Sequence, residues 1–324
     1  MQLASFIPRK YILSCLAMLM PLCLYSNTFK NNNLTFINYT IEDGLTENTV
    51  HTIFQDSFGY LWFGTGNGVC RFDGYSITEI NIQKDSRYRK VRNIYSFYEN
   101  NKNDILIGTD NGLFKYERES ENISLLAGPD TMENLLPISN YAVKTILGDD
   151  EGNLWIGTFN GLYKINKNGE IKSYLFTQDP SLEPILITDL IFNEKNQLYI
   201  GTNLGLMLMD TGSETIDHYP HYTDNEINST TQKNATSLEK GNNNLLYIGT
   251  WGMGMYVFDM TTKKYVKSYT TKSDNQNSLS GNVIFALNLD HEGNLWIGTE
   301  NNGLNKLDIR TDVFSIFKNT DYQT

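Results

Sequence analysis

Gly293–Asp308 reads GNLWIGTENNGLNKLD. A glycine opens a short apolar run, a Gly-Thr pair closes it, and Gly303 starts a second apolar run. Close copies recur along the chain. Aligned on the glycine of the Gly-Thr pair, they are LWFGT (Leu61–Thr65), ILIGT (Ile105–Thr109), LWIGT (Leu154–Thr158), LYIGT (Leu198–Thr202), LYIGT (Leu246–Thr250) and LWIGT (Leu295–Thr299). The glycines Gly64, Gly108, Gly157, Gly201, Gly249 and Gly298 follow one another at 44, 49, 44, 48 and 49 residues. Each copy resumes with a glycine-led apolar run: GVCRFD, GLFKY, GLYKIN, GLMLMD, GMYVFD and GLNKLD. Self-similarity at such a period is the signature of a repeat architecture, in which each unit buries its apolar face against its neighbours.

One unit can be read strand by strand after Tyr141. VKTIL is a short apolar run, DDEGN a turn cluster, LWIGT a second strand and FN a tight connection. GLYKIN is a third strand, KNGE another turn and IKSYLF a fourth strand. Four short antiparallel strands per period predict a β-propeller blade, and no stretch sustains the 3.6-residue periodicity of a helical solenoid. The fold class expected is all-β, a β-propeller of four-stranded blades with six complete blades present. Leu34–Thr40 (LTFINYT) has the pattern of a fourth strand, yet the sixth repeat already owns one in Val313–Asn319 (VFSIFKN). Strand counting therefore predicts seven blades in the intact protein, with the propeller domain at 34–324 stopping before the seventh.

The 324 residues carry a formal net charge of −11, which argues against duplex nucleic acid or an anionic membrane surface as a partner. Arg9 and Lys10 precede YILSCLAMLMPLCLY, and Ser26 offers a small residue for cleavage. That layout predicts a secretory signal peptide over residues 1–26, too short in its apolar run for a comfortable membrane span. Removing it leaves Cys70 as the single cysteine, expected to be a buried small hydrophobe, so no intrachain disulfide is available.

GLTENTVHTIFQDSFGYLWFGTGNGVCRFDGYSI (Gly44–Ile77) resembles the opening repeat of two-component regulator propellers. In that repeat a GL-x-x-N-x-V run precedes D-x-x-G-x-LW-x-GT-x-x-G-L-x-R-x-DG. The later copies match the family's shorter repeat, and the resemblance covers roughly residues 34–320. It implies the periplasmic sensor region of a hybrid two-component system histidine kinase, of the kind known in gut Bacteroidetes. Such sensors respond to oligosaccharides from polysaccharide breakdown and control carbohydrate-utilisation genes. The resemblance also implies a homodimer through the intact ectodomain and a membrane anchor and kinase supplied by a missing C-terminal part. No kinase motif surrounds His51, His218, His221 or His291, so this chain is not expected to be an enzyme, and no cofactor or metal is expected.

In a propeller the loops joining second to third strands share one face around the axis. The residues after each Gly-Thr fall there, which makes Phe159, Trp251, Asn67, Asn111, Asn160 and Asn301 the candidate ligand-binding residues. Aromatic faces suit the C–H faces of a sugar, and amides both donate to and accept from its hydroxyls. Asn before Gly also serves turns, and Trp251 could pack on a neighbouring loop, so the structural role competes at each position. Trp62, Trp155 and Trp296 fill one repeat position within the second strand, where packing is expected. DEGNLW (Asp150–Trp155) matches the D-x-G-x-x-W core of an Asp-box, a turn motif of sialidase propellers, but arginines able to converge on a carboxylate are few. The alternative function is a propeller enzyme, a polysaccharide lyase or glycoside hydrolase. For that, paired carboxylates such as Asp149-Asp150, or the histidines of His218-Tyr219-Pro220-His221, would have to converge on one site.

Overall fold

The computed structural model describes residues 39–82, 91–127, 142–174, 184–194, 196–222, 230–273, 277–300 and 302–317, all in the unit Tyr39–Thr324. The apolar leader and Leu34–Asn38 lie outside the described residues. The described chain forms six four-stranded antiparallel sheets, each a simple meander of sequential strands. These are the blades of a β-propeller, spanning 50–80, 94–127, 143–174, 187–219, 235–269 and 284–317. In blade three the strands are Val143–Gly148, Leu154–Thr158, Gly161–Ile165 and Ile171–Tyr174. Val313–Phe317 pairs with Leu304–Asp308, so the fourth strand of blade six is in place. Two 3-10 turns, Ile41–Asp43 and Thr230–Lys233, complete the described elements, and no described helix is long and apolar enough to cross a membrane.

The repeated phrase explains itself at the contacts it makes. Each Gly-Thr threonine donates its Oγ1 to the carbonyl of the glycine that opens the third strand, at 2.7–3.0 Å in all six blades. In blade three the same Oγ1 accepts the Asn160 amide at 3.0 Å, while Gly161 takes φ 95°, a conformation that side chains disfavour. The preceding glycine serves the neighbouring blade. A Cβ built on Gly64 would come within 2.7 Å of Ile94 Cγ2, and one on Gly157 within 2.6 Å of Ile187 Cγ2. Backbones of adjacent blades approach this closely only because the position has no side chain.

Five apolar clusters join consecutive blades. Trp62 and Val69 pack with Ile94 and Phe97; Leu106 and Leu113 pack with Val143 and Ile146. Trp155 and Leu162 meet Ile187 and Leu190, Tyr199 and Leu206 meet Ala235 and Leu238, and Tyr247 and Met255 meet Ile284 and Leu287. Among the described residues no such cluster joins blade six to blade one. Val50 and Ile53 occupy the positions of Ile94 and Phe97, yet they are 36% and 63% exposed against 0% and 8%. On the opposite side, a Cβ on Gly298 would meet only Ala286 of its own blade, at 3.7 Å or more. Cys70 is buried as expected, within reach of the Thr46 amide at 3.3 Å.

Candidate functional site

The innermost strand of every blade carries a one-residue bulge at the same place. Pairing skips from Val50 to Thr52, Ile94 to Ser96, Val143 to Thr145, Ile187 to Asp189, Ala235 to Ser237 and Ile284 to Ala286. The unpaired residues are His51, Tyr95, Lys144, Thr188, Thr236 and Phe285. A bulge bends its strand and re-aims one side chain. Here all six bulged residues line one cavity of about 790 Å³ that all six blades surround. The residue before the bulge packs into an interblade core in blades two to six (Ile94, Val143, Ile187, Ala235 and Ile284), while the residue after it also lines the cavity.

The ring is chemically uneven. Thr188 and Thr236 direct their hydroxyls to the carbonyls of Ala235 and Ile284 in the next blade, a structural use. His51 and Tyr95 face one another with ring centroids 6.2 Å apart, and Tyr95 lies 6.4 Å from Phe159. Lys144 sets its ammonium 3.8 Å from the Tyr95 centroid and 5.8 Å from that of Phe159. On the far side Trp251 meets Phe285 edge-on at 5.3 Å. The cavity is thus walled by aromatic faces at blades one to three and at blades five and six. Asp189, the one carboxylate lining it among the described residues, is pushed up to about 6 by burial, opposed by amides of Leu238 and Leu190, each 2.8 Å from its oxygens.

Of the residues singled out in sequence, Phe159 and Trp251 line this cavity. Asn67, Asn111 and Asn160 do not line it; their amides donate to Thr65, Thr109 and Thr158, each at 3.0 Å, as the turn role requires. Asn301 lies outside the described residues. The bulged ring itself escaped sequence reading. Its signal was present: in VHTIF, IYSFY, VKTIL, ITDLI, ATSLE and IFALN the second position changes chemistry while the first stays apolar.

The other candidate groups are structural. In the Asp-box-like turns the anchoring carboxylate is one residue earlier than the D-x-G-x-x-W match, at Asp149 rather than Asp150. Asp149 accepts the Glu151 and Asn153 amides and, at 3.0 Å, the Trp155 indole N–H. Asp56 and Asp290 hold Trp62 and Trp296 in the same way, at 2.8 and 2.9 Å. A blade whose Asp-box position reads Ser57 or His291 therefore keeps its anchor. His218 Nε2 lies 2.6 Å from the Leu204 carbonyl and His221 Nε2 3.2 Å from that of Gln232. Burial pulls His221 down to about 4, so it is neutral at physiological pH. No group of His, Cys, Asp and Glu suited to a metal occurs among the described residues.

The described residues form a β-propeller whose axial cavity is ringed by chemically varied, partly aromatic side chains. The family model described as "Two component regulator propeller" matches residues 44–67, 137–160 and 278–301, which overlap blades one, three and six. A segment of 47 residues is 43% identical to histidine kinase P4 of Formosa agariphila, covering 14% of this chain and 3% of that protein. The structure resembles the extracellular domain of a hybrid two component system from B. thetaiotaomicron, with TM-score 0.70 and 25% identity over 88% of this chain and 37% of that one. It shares its fold with virginiamycin B lyase from Staphylococcus aureus, at TM-score 0.59 and 15% identity over 84% of this chain and 85% of that one. The chain spans little more than a third of the extracellular domain it resembles.

Proposed function

We propose that this propeller is the exported, ligand-sensing part of a hybrid two-component signalling protein, and that it binds an oligosaccharide in the cavity ringed by the six bulged residues. One observation carries the reading: six bulges in register aim His51, Tyr95, Lys144 and Phe285 into one space that Phe159 and Trp251 also line. Packing alone gives no reason to vary this position while the residue before it stays apolar. Stacked aromatic faces recognise sugar rings, and the likeness to an extracellular domain of a hybrid two component system supplies the signalling context. The signal reaches a kinase only through a difference in ligand affinity between two states of the assembled sensor, for which a homodimer and a membrane anchor are the expected framework. Residues 1–26 serve as the export signal in this reading, and a seventh blade fills the seam between blades six and one. The output is control of carbohydrate-utilisation genes.

Calorimetric titration with a panel of oligosaccharides tests the assignment. Trp251→Ala and Phe159→Ala are each expected to weaken binding by about tenfold, the loss of one stacked face, while the melting temperature stays within a few degrees. Unchanged affinity in both variants would remove the cavity from the recognition surface. Turnover of any oligosaccharide in the panel would favour a propeller lyase or hydrolase instead.

A further inference from the structure

Among the described residues, Lys144 is the lysine that lines the axial cavity. It takes the bulged position of blade three, where its side chain is half-buried in the axial cavity. Its ammonium lies against the Tyr95 and Phe159 rings, and it makes no ion pair or hydrogen bond with any described residue. Burial alone pulls it below the usual ammonium range, and no neighbouring carboxylate restores it. Other half-buried lysines also rest on aromatic faces, Lys164 on Trp155 at 5.0 Å and Lys306 on Trp296 at 5.4 Å, but neither lines the cavity. Asp189, the carboxylate that shares the cavity, directs both oxygens to the backbone amides of Leu190 and Leu238.

A cation held over π faces keeps its N–H donors free for an incoming acceptor, and the charge is partly desolvated before the ligand arrives. An anion entering this space meets one positive centre, with aromatic walls on both sides. The chain carries a formal charge of −11, so a cation left unpaired at its axis runs against the overall balance. From this placement we infer that the ligand is an acidic oligosaccharide, whose carboxylate or sulfate group docks on Lys144 while sugar rings lie against Tyr95, Phe159 and Trp251. The inference rests on the sugar-binding reading above and narrows it to one class.

Two matched pairs of probes separate the possibilities: tetragalacturonate with its carboxyl-reduced counterpart, and a sulfated galactan tetrasaccharide with its desulfated form. In at least one pair the acidic member is expected to bind tenfold or more tightly than the neutral one, with a gap that narrows as salt is raised. Lys144→Met, which keeps the aliphatic stem, should close that gap by weakening the acidic member far more than the neutral one. Lys144→Arg should preserve the gap, which guards against a variant that simply fails to fold. Neutral members binding as tightly as acidic ones in both pairs, or a gap untouched by Lys144→Met, would overturn the acidic assignment alone. If no saccharide of either kind binds, the sugar-binding reading fails and this inference fails with it.

Discussion

At the scale of single residues, the recurring Gly-Thr pair divides two tasks. The threonine hydroxyl closes the turn into the third strand, and the glycine lets the next blade come near. Gly157 has no room for a side chain, because Ile187 Cγ2 and Thr145 Cγ2 would both lie 2.6 Å from its Cβ. Gly157→Ala is therefore expected to destabilise the propeller by about 1–3 kcal/mol, the usual cost of overpacking. Gly298 occupies the same repeat position with its nearest neighbour at 3.7 Å, so Gly298→Ala in this chain should change stability by less than about 1 kcal/mol. Chemical denaturation of the two variants makes the comparison. Equal losses would mean that the glycine serves its own strand, with no part in the interblade contact. The tryptophans follow the same economy: Trp62 and Trp155 are fully buried, and each indole N–H has an aspartate to receive it. Their packing role was legible from the repeat. The aspartate one residue before the matched motif was not, because an indole hydrogen bond is a matter of three-dimensional reach.

At the scale of elements, the inner strands hold the blades together through polar as well as apolar contacts. Asp189 of blade four accepts the Leu238 amide of blade five, and Ser237 of blade five accepts the Leu287 amide of blade six at 3.2 Å. Burial raises Asp189 to about 6, and burial together with the charge of Asp189 raises Glu239 to about 7. An acid whose folded pKa is raised binds its proton more tightly in the native state. The associated stability is complete below the unfolded value near 4 and is lost as pH rises through the folded value. Acidification from pH 8 to pH 5 should thus stabilise the propeller, with Asp189 contributing on the order of 1 kcal/mol over that interval. Below about pH 4 stability should fall again. Asp56 and Asp149 are held below the carboxylate range despite burial by their hydrogen bonds, Asp290 by its amide and side-chain donors, and all three then protonate. Asp189→Asn is expected to lose stability overall, since both oxygens accept amides, and to flatten the slope between pH 5 and 8. A slope unchanged in that variant would assign the upper arm to Glu239 alone. The strands that carry these residues were legible, since turn clusters and apolar runs marked each one. The bulge was not, because one skipped ladder partner leaves the alternation of a short strand almost undisturbed. The sequence reading therefore placed the ligand surface on the connecting loops. It found Phe159 and Trp251 there and overlooked His51, Tyr95, Lys144 and Phe285 one layer deeper.

At the scale of the molecule, the seam between blades six and one is where the repeat logic stops being satisfied. The first blade presents Val50 and Ile53, the face that in every other blade receives the Gly-Thr strand of its predecessor. The sixth presents Gly298 with no inner strand against it and with Trp296 only half-buried, where Trp62 and Trp155 are fully covered. Among the described residues no apolar cluster joins these two surfaces, and each is complementary to one more copy of the repeat. Burying Ile53 and Val50 alone would contribute roughly 2–4 kcal/mol, which a seventh blade of the same design would gain at no cost in new chemistry. The extracellular domain that this chain resembles is far longer than it. The native protein in its own cells should then have a mass well above 37.0 kDa, in the membrane fraction, when detected with an antibody to this propeller. In that species Gly298→Ala should cost as much as Gly157→Ala, and the amides of Val50–Ile53 should resist hydrogen exchange as those of Ile94–Phe97 do. A native species near the size of this chain, exchanging freely at Val50–Ile53, would mean that the seam stays open, and its bare apolar edge would become the surface through which the propeller meets another protein.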